Sequence, residues 1–327
     1  MTAAGANPTV SGVDSTGPAI ETHGLTKNFK ARVAVSGVDL TVPRACAFGF
    51  LGPNGAGKTT LIRTILGLTS ATSGTAQLLG HPMPRERTAA LLRVGAIVEE
   101  PRFYPHLTGR ENLQVVAAAR EPESSVRIGP ALARVGLAAR ADERVGAYSM
   151  GMRQRLGVAR CLIADPLLLI LDEPMNGLDP AGIQEFREMV AALVGEGRTV
   201  FLSSHLLDEV EKTCEMVAII DQGRILTQGS VADIAGAGRR VVRLRCDAPA
   251  AAAIALKDHP SVQSVHQEEG VLEVTLSTTA GAETDEAVAD VVRRLVAGGV
   301  QVYGVEGQRV SLEQRFLELT SRFETSA

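Results

Sequence analysis

No stretch of this 327-residue chain approaches the roughly 18 consecutive apolar residues of a membrane span. A soluble protein is expected, and any role at a membrane needs a partner. Residues 1–19 lack the basic n-region and apolar core of a signal peptide; rich in Thr, Ala, Gly, Ser and Pro, they read as a disordered tail. The four cysteines, Cys46, Cys161, Cys214 and Cys246, lie far apart and form no CxxC or Cys/His metal spacing. Each falls within or beside an apolar run, which suits small buried residues of a chain kept in a reducing cytosol. Nor are basic residues in excess. Lys and Arg total 33 against 37 Asp and Glu, a net charge of −4, which argues against a nucleic-acid footprint over the whole surface. The chain does have 45% hydrophobic residues over a length that suits two or three domains, so a substantial core is expected.

The strongest local signal is Gly52-Pro53-Asn54-Gly55-Ala56-Gly57-Lys58-Thr59-Thr60, which fits GxxxxGK[ST]. An apolar run, Ala47 to Leu51, precedes it, and a helix-like run, Leu61 to Leu66, follows. That succession of strand, loop and helix is what a phosphate cradle needs. Glycines let backbone N–H groups wrap an anion, and the following helix points its positive end at it. Lys58 is placed to reach the β- and γ-phosphates of a nucleotide, and the Thr59 hydroxyl to sit on Mg²⁺. The alternative, a glycine-rich turn with a chance lysine, explains less of the pattern.

The second signal is Leu167 to Leu171 followed by Asp172-Glu173-Pro174. A fully apolar strand reads as the buried centre of a parallel sheet, and ligands bind at the carboxyl ends of such strands. Asp172 is a candidate for the Mg²⁺ shell, and Glu173 for the base that takes a proton from attacking water. Taken alone, the pair could equally be a charged strand terminus; beside the cradle, the catalytic assignment is favoured.

Before the cradle, Ala34–Val38 and Leu40–Pro43 look like two short strands. Phe29 ahead of them either stacks on a purine or is an ordinary edge-strand core residue. After it, Gly74–Gly80 and Val94–Val98 read as strands, the latter delivering Glu99 and Glu100. Thr108-Gly109-Arg110-Glu111 is a capping box, opening a mainly helical insertion from about 100 to 165 with turns at Gly129-Pro130 and Gly136. Thr199–Ser204 is a further buried strand. His205 at its end either donates to a γ-phosphate or caps the helix Leu206–Lys212. Val217–Ile225 closes the unit as strand, turn and strand.

Tyr148-Ser149-Met150-Gly151-Met152-Arg153-Gln154-Arg155 looks like the LSGGQ signature of ATP-binding cassette (ABC) transporter nucleotide-binding subunits, and with the motifs above the chain resembles that family from about residue 20 to 237. The resemblance implies an α/β fold: a P-loop NTPase core of ABC type, with an antiparallel β subdomain and a helical subdomain. It implies that Phe29 stacks on adenine, that Glu99 occupies the Q-loop position, and that Asp179 lies in the D-loop. It further implies that His205 is the switch histidine, and that Ser149 and Gly151 face the γ-phosphate of ATP held by a partner in a head-to-tail homodimer.

Three positions depart from the family pattern. Glu99 stands where Gln is commonest, and a carboxylate there could ligate Mg²⁺ more strongly or repel the γ-phosphate without it. Met150 and Met152 replace Gly and Gln of the signature. This combination is similar to the ATPase subunits of bacitracin-type drug or antimicrobial-peptide exporters. The implied function is an ATPase at the inner face of the cell membrane, cytoplasmic and attached through an integral membrane permease. No nucleic-acid partner is expected. The rivals are a soluble cassette ATPase acting on ribosomes or DNA, and a drug-sensing resistance component. The first fits poorly. Lys58 to Ser149 spans only 91 positions (149 − 58) without sustained heptads, and the chain has a single cradle.

Residues 238–327 fall outside the resemblance. Their pattern reads as strand Arg240–Cys246, helix Ala250–Asp258, strands Val262–His266 and Val271–Leu276, helix Asp285–Val296 and strand Val300–Val305. That order suggests a small ferredoxin-like α+β domain. Ser311-Leu312-Glu313-Gln314 then caps a closing amphipathic helix bearing Phe316, Leu317, Leu319 and Phe323, with a stripe better suited to core than to a partner groove.

Overall fold

The structure, a computed structural model, describes residues 17–30, 32–235, 240–268, 271–277, 282–309 and 312–317. The expected N-terminal tail, apart from residues 17–19, lies outside the described residues, as do Leu319 and Phe323. The chain divides into two compact units, Met1–Gln228 and Gly229–Ala327, nine residues (238 − 229) before the division expected from the sequence.

The first unit holds two sheets. One is antiparallel, in the order Arg32–Val42, Ile20–Phe29, Ser73–Leu78, His81–Met83. Its strands alternate, burying Ile20, Thr22, Leu25, Val35, Val38, Leu40 and Val42. The two short strands expected over 34–43 are in fact one. Gly37 adopts a left-handed backbone (φ 58°) and donates its N–H to Thr26 Oγ1 at 2.9 Å, so it is absorbed as an irregularity in the pairing and does not end the strand.

The other sheet has six strands, in the order Arg224–Ser230, Met216–Asp221, Ala47–Leu51, Thr199–Ser204, Leu168–Leu171, Val94–Ile97. From Met216–Asp221 to Val94–Ile97 every neighbouring pair is parallel. Ala47–Leu51, Leu168–Leu171 and Thr199–Ser204 are buried throughout, as continuous apolar strands between covering layers must be. Phe48 and Phe50 pack on Phe201 with ring centroids 5.8 and 5.5 Å apart, tying the two central strands together. The parallel arrangement brings the carboxyl ends of all three strands to one edge.

The helical insertion follows Val94–Ile97. Helix Gly109–Ala117 opens with the expected capping box: Thr108 Oγ1 accepts from Glu111 N at 3.1 Å, and Glu111 Oε2 accepts from Thr108 N at 2.7 Å. Gly129-Pro130 is not a turn, as the sequence suggests, but lies within the first turn of helix Ile128–Arg134. A proline is tolerated there because its missing N–H would have no partner within the helix. Gly136 does end that helix, left-handed at φ 67°, with Leu137 N donating to Leu132 O at 2.8 Å.

In the second unit a four-stranded antiparallel sheet runs Val262–Glu268, Val271–Leu276, Arg240–Cys246, Val302–Arg309. Helices Pro249–Leu256 and Ala282–Ala297 intervene, giving the chain order strand, helix, strand, strand, helix, strand. Val242, Leu244, Leu272 and Val274 form one apolar cluster with Ala252, Leu256, Val291 and Leu295. Residues 312–317 are helical, and Leu312 is fully buried.

All four cysteines are free and buried. Burial, with the charge of Glu215 adding to it, pushes the Cys46 thiol up to about 11. Burial raises Cys161 to about 11, against the nearby Arg160 and Arg120, and burial, with Glu215 and Cys46 adding to it, raises Cys214 further still. A raised thiol pKa means a neutral, unreactive sulfur below it, with about one thiol in 10³ ionised at pH 8 for Cys46 and Cys161. Iodoacetamide at pH 8 is therefore expected to leave these three unlabelled in the folded protein and to label them in denaturant, as read by intact mass. Rapid labelling of the folded chain would contradict their burial.

Candidate functional site

The cradle sits where the strand Ala47–Leu51 leaves the parallel edge. Helix Lys58–Ile65 starts at Lys58, with Gly57 before it at φ 107°. No side chain fits there: a Cβ on Gly57 would stand 2.4 Å from the carbonyl oxygen of Ala34, and one on Gly52 would stand 2.3 Å from that of Ile220. The glycines thus permit the close backbone approach that shapes the loop. Lys58 is buried, and its Nζ donates to Gly52 O at 2.6 Å and Pro53 O at 3.3 Å, folding the side chain back along the loop. The same nitrogen is 3.1 Å from Glu173 Oε1.

A cleft of about 430 Å³ opens over this loop, lined among others by Phe29, Arg32, Asn54, Gly55, Thr60 and Glu173. Pro53, Gly57, Lys58 and Thr59 also face it. Ala56 is buried beneath the loop. Phe29 is not a core residue: it is half exposed at the end of its strand, and the Lys27 ammonium lies 4.8 Å from its ring centroid. An exposed ring on a cleft wall has a free π-face to offer.

Asp172 is 4% exposed, and both its oxygens are occupied: Thr59 Oγ1 donates to Oδ2 at 2.8 Å, and Ser203 Oγ to Oδ1 at 2.5 Å. Ser203 also accepts from Glu173 N at 2.9 Å, so one buried hydroxyl orients both members of the carboxylate pair. The sequence analysis missed Ser203. Its place follows from the parallel register, Leu171 beside Leu202, which sets residue 203 next to residue 172.

Glu173 adopts a left-handed backbone (φ 48°), uncommon for a side chain of this kind. Its carboxylate stands between two cations or donors: Oε1 faces Lys58, and Oε2 accepts from His205 Nδ1 at 2.9 Å. With Nδ1 donating to a carboxylate, a neutral His205 leaves Nε2 as an acceptor. His205 does not cap the next helix. Helix Leu207–Thr213 begins after Leu206, whose N–H donates to Ser204 Oγ at 3.0 Å.

Glu99 leaves its strand with φ 65° and is exposed; Arg63 of the cradle helix donates to its Oε1 at 2.7 Å. Ser149, Gly151 and Asp179 do not line the cradle. They line a second cleft of about 330 Å³, together with Gln154 and Leu178. Ser149 is the N-cap of helix Met150–Leu162, its Oγ accepting from Met152 N at 3.2 Å, which leaves the hydroxyl proton free to donate outward. Asp179 caps helix Pro180–Gly195 through Gly182 N at 3.0 Å. The two segments interlock: a Cβ on Gly177 would lie 2.1 Å from Met150 Sδ, and one on Gly151 would lie 3.2 Å from Leu178 Cδ2. A larger cavity of about 580 Å³, lined by Leu79, Arg93, Arg120, Arg127 and Asp165, contains none of these residues. It lies beside Arg93 and Leu167, at the amino ends of their strands, whereas ligands of parallel sheets sit at the carboxyl ends.

Residues 35–176 match the family model described as ABC transporter. The chain is 38% identical over 305 residues to the ABC transporter ATP-binding protein YhcH of Bacillus subtilis (strain 168), a match that covers 92% of this chain and 95% of that protein. It is 36% identical over 303 residues to the bacitracin transport ATP-binding protein BcrA of Bacillus licheniformis, covering 92% and 96%. A solved ATP-binding subunit of an ABC transporter superposes with a TM-score of 0.59 at 30% identity, over 66% of this chain and 91% of that one.

Proposed function

We propose that this chain, which belongs to the family of ABC transporter ATP-binding proteins, energises the export of a peptide antibiotic or similar drug through a separate permease. Members of the family bind and hydrolyse ATP to drive transport, and this chain is such an ATPase subunit. Among the described residues no helix is long and apolar enough to cross a membrane. A membrane-embedded partner would supply the pathway, and docking on it, around Glu99 to Leu113, would hold the chain at the inner face of the cell membrane. The relative from Bacillus licheniformis, named for bacitracin transport, supports the export of an antimicrobial peptide.

The observation that carries the hydrolytic reading is the row formed by buried Lys58, half-buried Glu173 and exposed His205 at the cradle. Lys58 and the loop N–H groups would bind the β- and γ-phosphates, with Phe29 against the base. Glu173 would accept the proton of the attacking water, and His205, hydrogen-bonded to it, would hold the carboxylate in place. The donor set suits Mg²⁺: Thr59 Oγ1 and Asp172 are hard oxygen ligands, and Glu99 is the third oxygen expected at this edge. Among the described residues no cluster of three His, Cys, Asp or Glu could hold a metal by itself, which suits a cation shared with phosphate oxygens. Bound there, the cation would neutralise charge developing on the phosphates.

Ser149, Gly151 and Asp179 share a cleft that the cradle does not complete, which supports a head-to-tail homodimer in which each protomer closes on the other's ATP. The second unit, with its strand, helix, strand, strand, helix, strand order, we take as a ferredoxin-like accessory domain. The test is capture from detergent-solubilised host membranes with the Glu173→Gln protein and ATP. One polytopic membrane protein should be recovered. Recovery of ribosomes or DNA-bound proteins with no membrane partner would overturn the reading.

A further inference from the structure

The carboxylate of Glu99 presents a physical difficulty. Asp172 N donates to Ile97 O at 2.9 Å, so the chain after Ile97 leaves the sheet beside the Thr59–Asp172 pair. With ATP in the cradle, that segment would bring the negative charge of Glu99 to the edge where the triphosphate ends. Arg63 lies four residues beyond Thr59 on the cradle helix and therefore on the same face. From there its guanidinium reaches Glu99 at 2.7 Å. Both side chains are exposed, 43% for Arg63 and 61% for Glu99, and exposed pairs of this kind add little to fold stability. The significance of this pair is where it places charge.

We propose that Arg63 is a positioning residue for the nucleotide: it holds Glu99 and offsets its charge, so that a carboxylate can stand at this edge without repelling the γ-phosphate. The inference rests on the reading of the cradle as the ATP site and extends it to a residue outside the recognised motifs. Without Arg63, an uncompensated carboxylate would face the polyanion, most severely when no Mg²⁺ shields it. The glutamate and the arginine would then act as one unit, and removing the arginine should matter only while the glutamate is present.

The test is ATP binding by equilibrium titration for Arg63→Gln, Glu99→Gln and the double variant, each in excess Mg²⁺ and in EDTA. Arg63→Gln should weaken binding about tenfold in EDTA, and less in Mg²⁺, the size expected for one nearby charge at moderate dielectric. In the Glu99→Gln background the same substitution should change affinity by less than about twofold, as additivity fails for coupled neighbours. With saturating ATP, the half-saturating Mg²⁺ concentration for turnover should fall in Arg63→Gln, because the cation then relieves more repulsion, and should not fall in the double variant. An equal loss in both backgrounds, or no loss in either, would overturn the proposal. The wider reading fails separately: if Lys58→Ala binds ATP as tightly as the parent, the cradle is not the site, whatever Arg63 does.

Discussion

Replacing Glu173 by Gln is expected to lower ATP turnover by about 10²–10⁴-fold, the usual contribution of a general base, while nucleotide binding survives. The geometry makes the two effects separable. Glutamine keeps the shape of the side chain between Lys58, 3.1 Å away, and His205, 2.9 Å away, but its amide cannot take a proton from water. The donors that would hold the phosphates are the loop N–H groups and Lys58, none of which changes. Bound ATP should therefore persist and hold the protomers together, so that size-exclusion chromatography in ATP shows a dimer. Single-turnover hydrolysis is the decisive measurement. A rate equal to the parent's would remove Glu173 from the role of base.

The second large effect is expected at Lys58. Its ammonium is buried and makes three close contacts, two to carbonyls of its own loop and one to Glu173. In a triphosphate complex these would be exchanged for charge-assisted hydrogen bonds, each typically worth about 1.5–3 kcal/mol. Lys58→Ala should thus weaken ATP binding by about 10–100-fold. It would also remove the Lys58 contact of the Glu173 carboxylate and keep the one to His205. Isothermal titration, with a thermal melt to verify the fold, would check this, and parent-like affinity would count against the cradle.

What could be read from the sequence follows the physics of each feature. The cradle was legible because its requirements are contiguous: glycines where a Cβ would strike Ala34 or Ile220, then a lysine and a threonine opening a helix. The apolar strand ending in Asp172-Glu173 was legible for the same reason. Ser203 was not, since its contact with Asp172 depends on two strands about thirty residues apart lying in register. Arg63 was hidden likewise: nothing local to its helix says that its partner is Glu99, in the segment after strand Val94–Ile97. Asp39 and Gly129-Pro130 were read as breaks, but Asp39 continues the strand, its Oδ1 accepting from Gly24 N, and a first helical turn accommodates the Gly-Pro pair.

The contact between Met150 and Gly177 has a consequence for how such a chain can drift. The thioether lies where a β-carbon on residue 177 would have to go, so the two positions compete for one small volume. A methyl group gained at 177 would displace the partly exposed Met150 side chain and would also have to adopt a left-handed backbone, φ 71°, that favours glycine. Residue 177 should therefore be held to glycine among descendants of this sequence, whereas position 150 can shorten without creating a clash.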